Sequence, residues 1–134
     1  MITSMRKAME LDLTKAEEKA MKILWSIKKG LLRDIVSEYE DPKPAYTTVA
    51  TIFKILERKG FVGRTPVANS HEYYPLVARK DYTTQSVKSL VEGYFSNSFK
   101  DMVSEFSSAE NLSTKDMQEL MEHFRKQIEQ KKKK

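Results

Sequence analysis

The sequence predicts a mainly α fold carrying one small β-hairpin, on three observations. Apolar residues recur at helical spacing in short segments ahead of Gly60, two runs of β-forming residues flank a turn directly after it, and longer helical stripes fill the chain beyond residue 78. At 134 residues there is room for one compact module of about 70 residues with a helical appendage, and not for two full-sized domains.

Thr14 opens the first helix as an N-cap, with Glu17 three residues on as the reciprocal partner of a capping box. Ala16, Ala20, Ile23, Leu24 and Ile27 follow at helical spacing, Lys15, Lys19 and Lys22 lie off that stripe, and Gly30 supplies a stop, so the helix ends near Lys29. Leu32, Ile35, Val36 and Tyr39 then mark a short second helix ahead of Pro42 and Pro44. From Tyr46 the spacing returns in Val49, Ile52, Phe53 and Leu56, and Gly60 sits where a C-terminal cap belongs, which gives a third helix over about 46–59. Phe61–Val67 and Glu72–Leu76 flank Ala68-Asn69-Ser70, a turn between two strands. Three short helices and a hairpin have the layout of a winged helix-turn-helix.

Beyond residue 78, Val87, Leu90, Val91, Tyr94 and Phe95 form one stripe, and Phe99, Met102, Val103 and Phe106 a second. Ser113 to Asp116 resembles a cap leading into Met117, Leu120, Met121, Phe124 and Ile128. Three such helices have too little chain to enclose one another, so their apolar faces are expected to meet a second subunit. The expected interface comprises the two stripes above with Leu120 and Phe124. The domains are accordingly read as 1–77, a winged-helix DNA-binding domain, and 78–134, a helical dimerisation domain with a solvated basic tail.

The net charge of +5 is unevenly placed. Residues 1–41 hold eight basic and eight acidic side chains, residues 42–80 seven and two, and residues 81–134 nine and nine, the last balanced only by Lys131–Lys134. The excess sits on the third helix and the hairpin, the surface a nucleic acid would meet. No apolar run could span a bilayer, and the stretch from Met1 to Lys7 lacks the apolar core of a secretory signal, so a soluble cytoplasmic protein is expected. The absence of cysteine excludes disulfides and thiolate chemistry, and His71 and His123 stand too far apart in sequence to suggest zinc. Asp101, Glu105 and Glu110 pair with no base or nucleophile, so neither enzyme nor cofactor is expected. Trp25 reads as a packing residue, His71 as a surface one, and Met102, Met117 and Met121 as packing side chains.

On the third helix, 100° per residue puts Thr47, Thr51, Lys54 and Arg58 opposite the apolar stripe, with Thr48 and Ala50 on the flanks. Small hydroxylated residues near its start allow close approach to base edges, and the cations further along reach phosphates. The expected DNA-binding residues are Tyr46, Thr47, Thr48, Ala50, Thr51, Lys54, Arg58 and Arg64, with Lys59 adding a phosphate contact and the hairpin tip acting as a wing. The rival reading is a winged-helix protein-interaction module that binds no specific DNA, since fold does not dictate function.

The run from Ala45 to Phe61, together with Glu72–Val77, Leu13–Glu17, Met21–Trp25 and Leu112-Ser113, closely resembles the penicillinase-repressor family (BlaI/MecI/CopY type) over most of residues 11–128. The resemblance implies an N-terminal winged helix, a helical dimerisation domain, and a homodimer that blocks transcription from a dyad-symmetric operator. It implies that Thr47, Thr48 and Thr51 face the major groove, where the position of Ala50 often carries a larger polar or basic residue. Resistance-controlling members are inactivated when a membrane-bound metalloprotease sensor triggers cleavage at an Asn-Phe bond in the fifth helix. The matching junction is Glu105-Phe106, which keeps only the Phe. Copper-responsive members bind metal through C-terminal cysteines, and this chain has none.

Overall fold

The computed structural model describes residues 13–133. They form helix α1 (Lys15–Ile27), strand β1 (Gly30–Leu31), helices α2 (Leu32–Ser37) and α3 (Tyr46–Lys59), strands β2 (Val62–Val67) and β3 (Ser70–Pro75), and helices α4 (Arg79–Tyr94), α5 (Phe99–Ala109) and α6 (Thr114–Lys132). The segment read as lacking a secretory signal, the start of the first expected domain and the terminal Lys134 lie outside the described residues.

The capping box is present. The Thr14 hydroxyl accepts from the Glu17 amide at 3.1 Å, and a Glu17 carboxylate oxygen accepts from the Thr14 amide at 3.2 Å. The end of α1 differs from expectation: it falls at Ile27, where Lys28 takes a left-handed φ of 76° and donates to the Leu24 carbonyl at 2.7 Å. Gly30 caps nothing. It enters β1 and pairs with Tyr73, and a Cβ there would lie 3.0 Å from Ile27 Cδ1, so glycine lets this strand run close beneath α1. Ala16 is exposed, and the buried stripe of α1 is Ala20, Met21 and Leu24.

Gly60 ends α3 as expected, at φ 86° with its amide bonded to the Glu57 carbonyl. The hairpin is one part of a three-stranded antiparallel sheet ordered β1-β3-β2. β2 and β3 pair from Val62 opposite Pro75 to Val67 opposite Ser70, which leaves a two-residue turn, Ala68-Asn69, with Ala68 at φ 54°. Ser70 belongs to the strand. β1, with two residues, is too short to show a period-2 pattern in sequence.

The core lies where α1, α2 and α3 meet this sheet. Met21, Leu24, Ile35, Val49, Phe53, Leu56 and Phe61 are fully enclosed, and the Phe53 ring meets Tyr73 in a tilted contact at 5.0 Å. Each such side chain contributes about 1.5–3 kcal/mol by leaving water. Trp25 is half-buried, and its indole N–H donates to the Val77 carbonyl at 2.8 Å. Tyr82, in the first turn of α4, lies 5.8 Å from both Trp25 and Phe61. These α1–sheet–α3 elements form a winged helix.

By internal contacts the chain divides into two compact units inside α4, between Val87 and Lys88. The second unit is helical. After α4 the chain reverses through Ser96 and Asn97, both at positive φ, with the Asn97 amide donating to the Val91 carbonyl at 3.1 Å. Ser98 caps α5 and, as expected, Ser113 caps α6, accepting from Asp101 and Asp116 amides at 3.1 and 3.0 Å. Helix α6 extends through Lys131 and Lys132, so the basic run continues the helix instead of trailing from it.

Candidate nucleic-acid interface

Helix α3 owes its orientation to the enclosed side chains Val49, Phe53 and Leu56. Because successive residues advance by 100°, pinning that stripe turns Tyr46, Thr47, Thr48, Thr51, Lys54 and Arg58 outward, all exposed, with Ala50 half-buried at the flank. The face is narrow and, apart from Tyr46, carries no large apolar group. The Thr51 hydroxyl donates to the Thr47 carbonyl at 3.0 Å, which holds its rotamer and leaves the oxygen's lone pairs outward as acceptors. Among the described residues neither Lys54 nor Arg58 forms an ion pair.

Two cations expected on phosphates are engaged elsewhere. Lys59 points inward, its Nζ 2.6 Å from Glu17 Oε1 with both side chains largely covered, so it ties the end of α3 to the start of α1. Burial acts to raise the Glu17 carboxyl, but the Lys59 hydrogen bond and charge, with the amide and hydroxyl of Thr14, outweigh it and hold the group below the ordinary glutamate value. Arg64 Nε lies 3.1 Å from Glu57 Oε2. Burial pushes the Tyr73 phenol up, and the Arg64 guanidinium partly opposes that. Arg64 is exposed, but its charge is shared with Glu57.

The wing tip, Thr65–Asn69, is exposed and carries no charged residue. Beside it the fold places a side chain that charge counting by thirds hides. Arg33, within the balanced first 41 residues, lines a groove of about 440 Å³ together with Leu31, Tyr46, Val67, Ala68, Asn69 and Ser70. Its only sequence signal is an isolated arginine at the start of the second helix.

Of the expected dimer residues, Val87, Leu90, Tyr94, Phe99, Phe106, Leu120 and Phe124 are exposed. Phe95, Met102 and Val103 are half-buried, and Val91 is buried within its own chain. Glu105 and Phe106 sit inside α5, both exposed, with the Phe106 carbonyl accepting from the Glu110 amide at 2.9 Å. His71 is exposed. Among the described residues no group of three or more His, Asp or Glu side chains is placed to hold a metal ion, and no helix is long and apolar enough to cross a membrane.

Residues 13–126 match the model of the penicillinase repressor family. Over 110 residues the chain is 27% identical to the methicillin resistance regulatory protein MecI of Staphylococcus aureus (strain N315), covering 81% of this chain and 89% of that protein. It is 26% identical to the protein of the same name from Mammaliicoccus sciuri over the same shares. To the penicillinase repressor of Staphylococcus aureus it is 24% identical over 112 residues, 83% of this chain and 89% of that one.

Proposed function

The chain belongs to the penicillinase repressor family, a family of transcriptional repressors, and on that premise we propose that it acts in the cytoplasm as a homodimer on a dyad-symmetric operator. The exposed, slender, basic face of α3 carries this reading, because it combines small side chains that admit base edges with cations. Thr47, Thr48, Ala50 and Thr51 approach base edges in the major groove, and Tyr46 at the start of the helix donates to a phosphate. Lys54 and Arg58 take phosphates, and Arg64 takes one by exchanging it for Glu57. The exposed apolar faces of α4, α5 and α6 support dimerisation. Two copies of α3 then enter successive major grooves about 34–36 Å apart, and the operator is an inverted repeat.

The relatives' names point to antibiotic resistance genes as targets. Relief of repression follows from breaking the dimer. Scission at Glu105-Phe106 in α5, set in motion indirectly by a membrane metalloprotease sensor, is the route consistent with family membership, and it needs α5 to unwind locally.

Binding to promoter DNA upstream of the chain's own gene, followed by fluorescence anisotropy across a salt series, tests the reading. Arg58→Ala is expected to weaken all sequences alike and to lower the salt slope by about 1 per protomer, whereas Thr47→Ala relaxes discrimination at one base pair by about 1–3 kcal/mol. Identical behaviour of the two variants would defeat this division of labour. No binding at low salt would favour the protein-interaction module instead.

A further inference from the structure

A wing that lies on DNA needs positive charge at its tip, because the sequence-independent part of such binding comes from neutralised phosphates. This wing has none: Thr65–Asn69 is uncharged, and Arg64 at its base is paired with Glu57. The groove beside the tip supplies what the tip lacks. Its lining residues include four with donor-bearing side chains, Arg33, Tyr46, Asn69 and Ser70, and no acidic residue. Arg33 is exposed and, among the described residues, forms no ion pair. Four donor-bearing residues and no acidic one around a groove suit an oxyanion, and a guanidinium can bind a phosphate through two parallel N–H bonds.

We propose that this groove seats a phosphate of the DNA backbone, with Arg33 as its cation and the Tyr46 hydroxyl as a second donor. The inference rests on the DNA-binding reading and extends it, since the cation beside the wing's tip then comes from α2 and not from the tip itself. Tyr46 begins α3, and Arg58 lies twelve residues further along it, about 18 Å at 1.5 Å per residue. The two arginines therefore address different phosphates at opposite ends of the helix.

Phosphate contacts carry no sequence information, so the test uses full-length protein with a random-sequence duplex and with its own promoter DNA, across a salt series. Thermal unfolding confirms that each variant is folded. Arg33→Ala is expected to lose about tenfold in affinity on both DNAs and to flatten the slope of log K against log salt by about 0.9 per protomer. Arg33→Lys keeps the slope and loses only a few-fold, and Arg33→Ala with Arg58→Ala loses the product of the single effects. A methylphosphonate scan of the promoter should find a position where neutralisation weakens the native protein and leaves Arg33→Ala unmoved. Unchanged affinity and slope for Arg33→Ala, with Arg58→Ala clearly weakened, would overturn this proposal alone. If Arg58→Ala is also without effect, the DNA-binding reading falls and takes the proposal with it.

Discussion

Helices α3 and α6 are both amphipathic, yet Val49, Phe53 and Leu56 of α3 are fully enclosed, while Met117, Leu120, Met121, Phe124 and Ile128 of α6 are all exposed. No residue of α5 or α6 is buried. In the N-terminal unit, α1, α2 and a three-stranded sheet surround α3, so its stripe is covered by its own chain. In the C-terminal unit the α6 stripe has no such cover, and those of α4 and α5 are covered only in part. An apolar stripe declares that a face needs cover, and it does not say which molecule provides it. A monomer with this much exposed aromatic and aliphatic surface is the usual signature of an interface. The self-covered unit presents the polar α3 face, and the other leaves the apolar stripe of α6 exposed.

The contrast can be broken from either side. The largest effect is expected in the enclosed region: Phe53→Ala removes the ring packed against Tyr73 and should cost about 3–5 kcal/mol, a large part of the stability of a small domain. Urea unfolding followed by circular dichroism measures it, and an unchanged midpoint would show that the core is not where the structure puts it. Next comes Phe124→Glu, which places a charge on the exposed stripe of α6. Sedimentation equilibrium should show dimer dissociation strengthened by roughly thirtyfold or more, the scale of a central interface residue, with little effect on the circular dichroism of the monomer. A variant that dimerises like the parent would remove this stripe from the interface.

The smallest effect concerns the ion pair that links α1 to α3. Glu17→Gln is expected to lower stability by about 1–2 kcal/mol at neutral pH, since it removes a charge-assisted hydrogen bond to Lys59. The folded-state carboxyl titrates below its unfolded value, so its contribution is present above the ordinary glutamate range and is lost as pH falls through the lowered value. The gap between parent and variant therefore closes in acid. A gap that persists unchanged below that range would show that packing, and not charge, is what Gln fails to supply.

Features whose causes lie within one turn of chain were legible in the sequence. The Thr14–Glu17 capping box, the α3 stripe with its Gly60 cap, the Ser113 cap and the hairpin all depend on residues a few positions apart, and local spacing reports them directly. The exposed set on α3 followed as well, because one helical period fixes the polar side once the apolar side is known. What the sequence could not show depended on distant partners. β1 exists because Gly30 meets Tyr73, and Arg33 meets the wing only through the fold. Lys59 was expected on phosphate and instead pairs with Glu17, 42 positions away. Counting charges gives the sign of a region, but a cation's role depends on what stands within about 4 Å of it. The sequence alone thus determined which helix faces outward and that its surroundings are basic. Only tertiary structure decided which of those cations are already neutralised and which remain to meet a partner, because ion pairing acts through space and leaves no period along the chain.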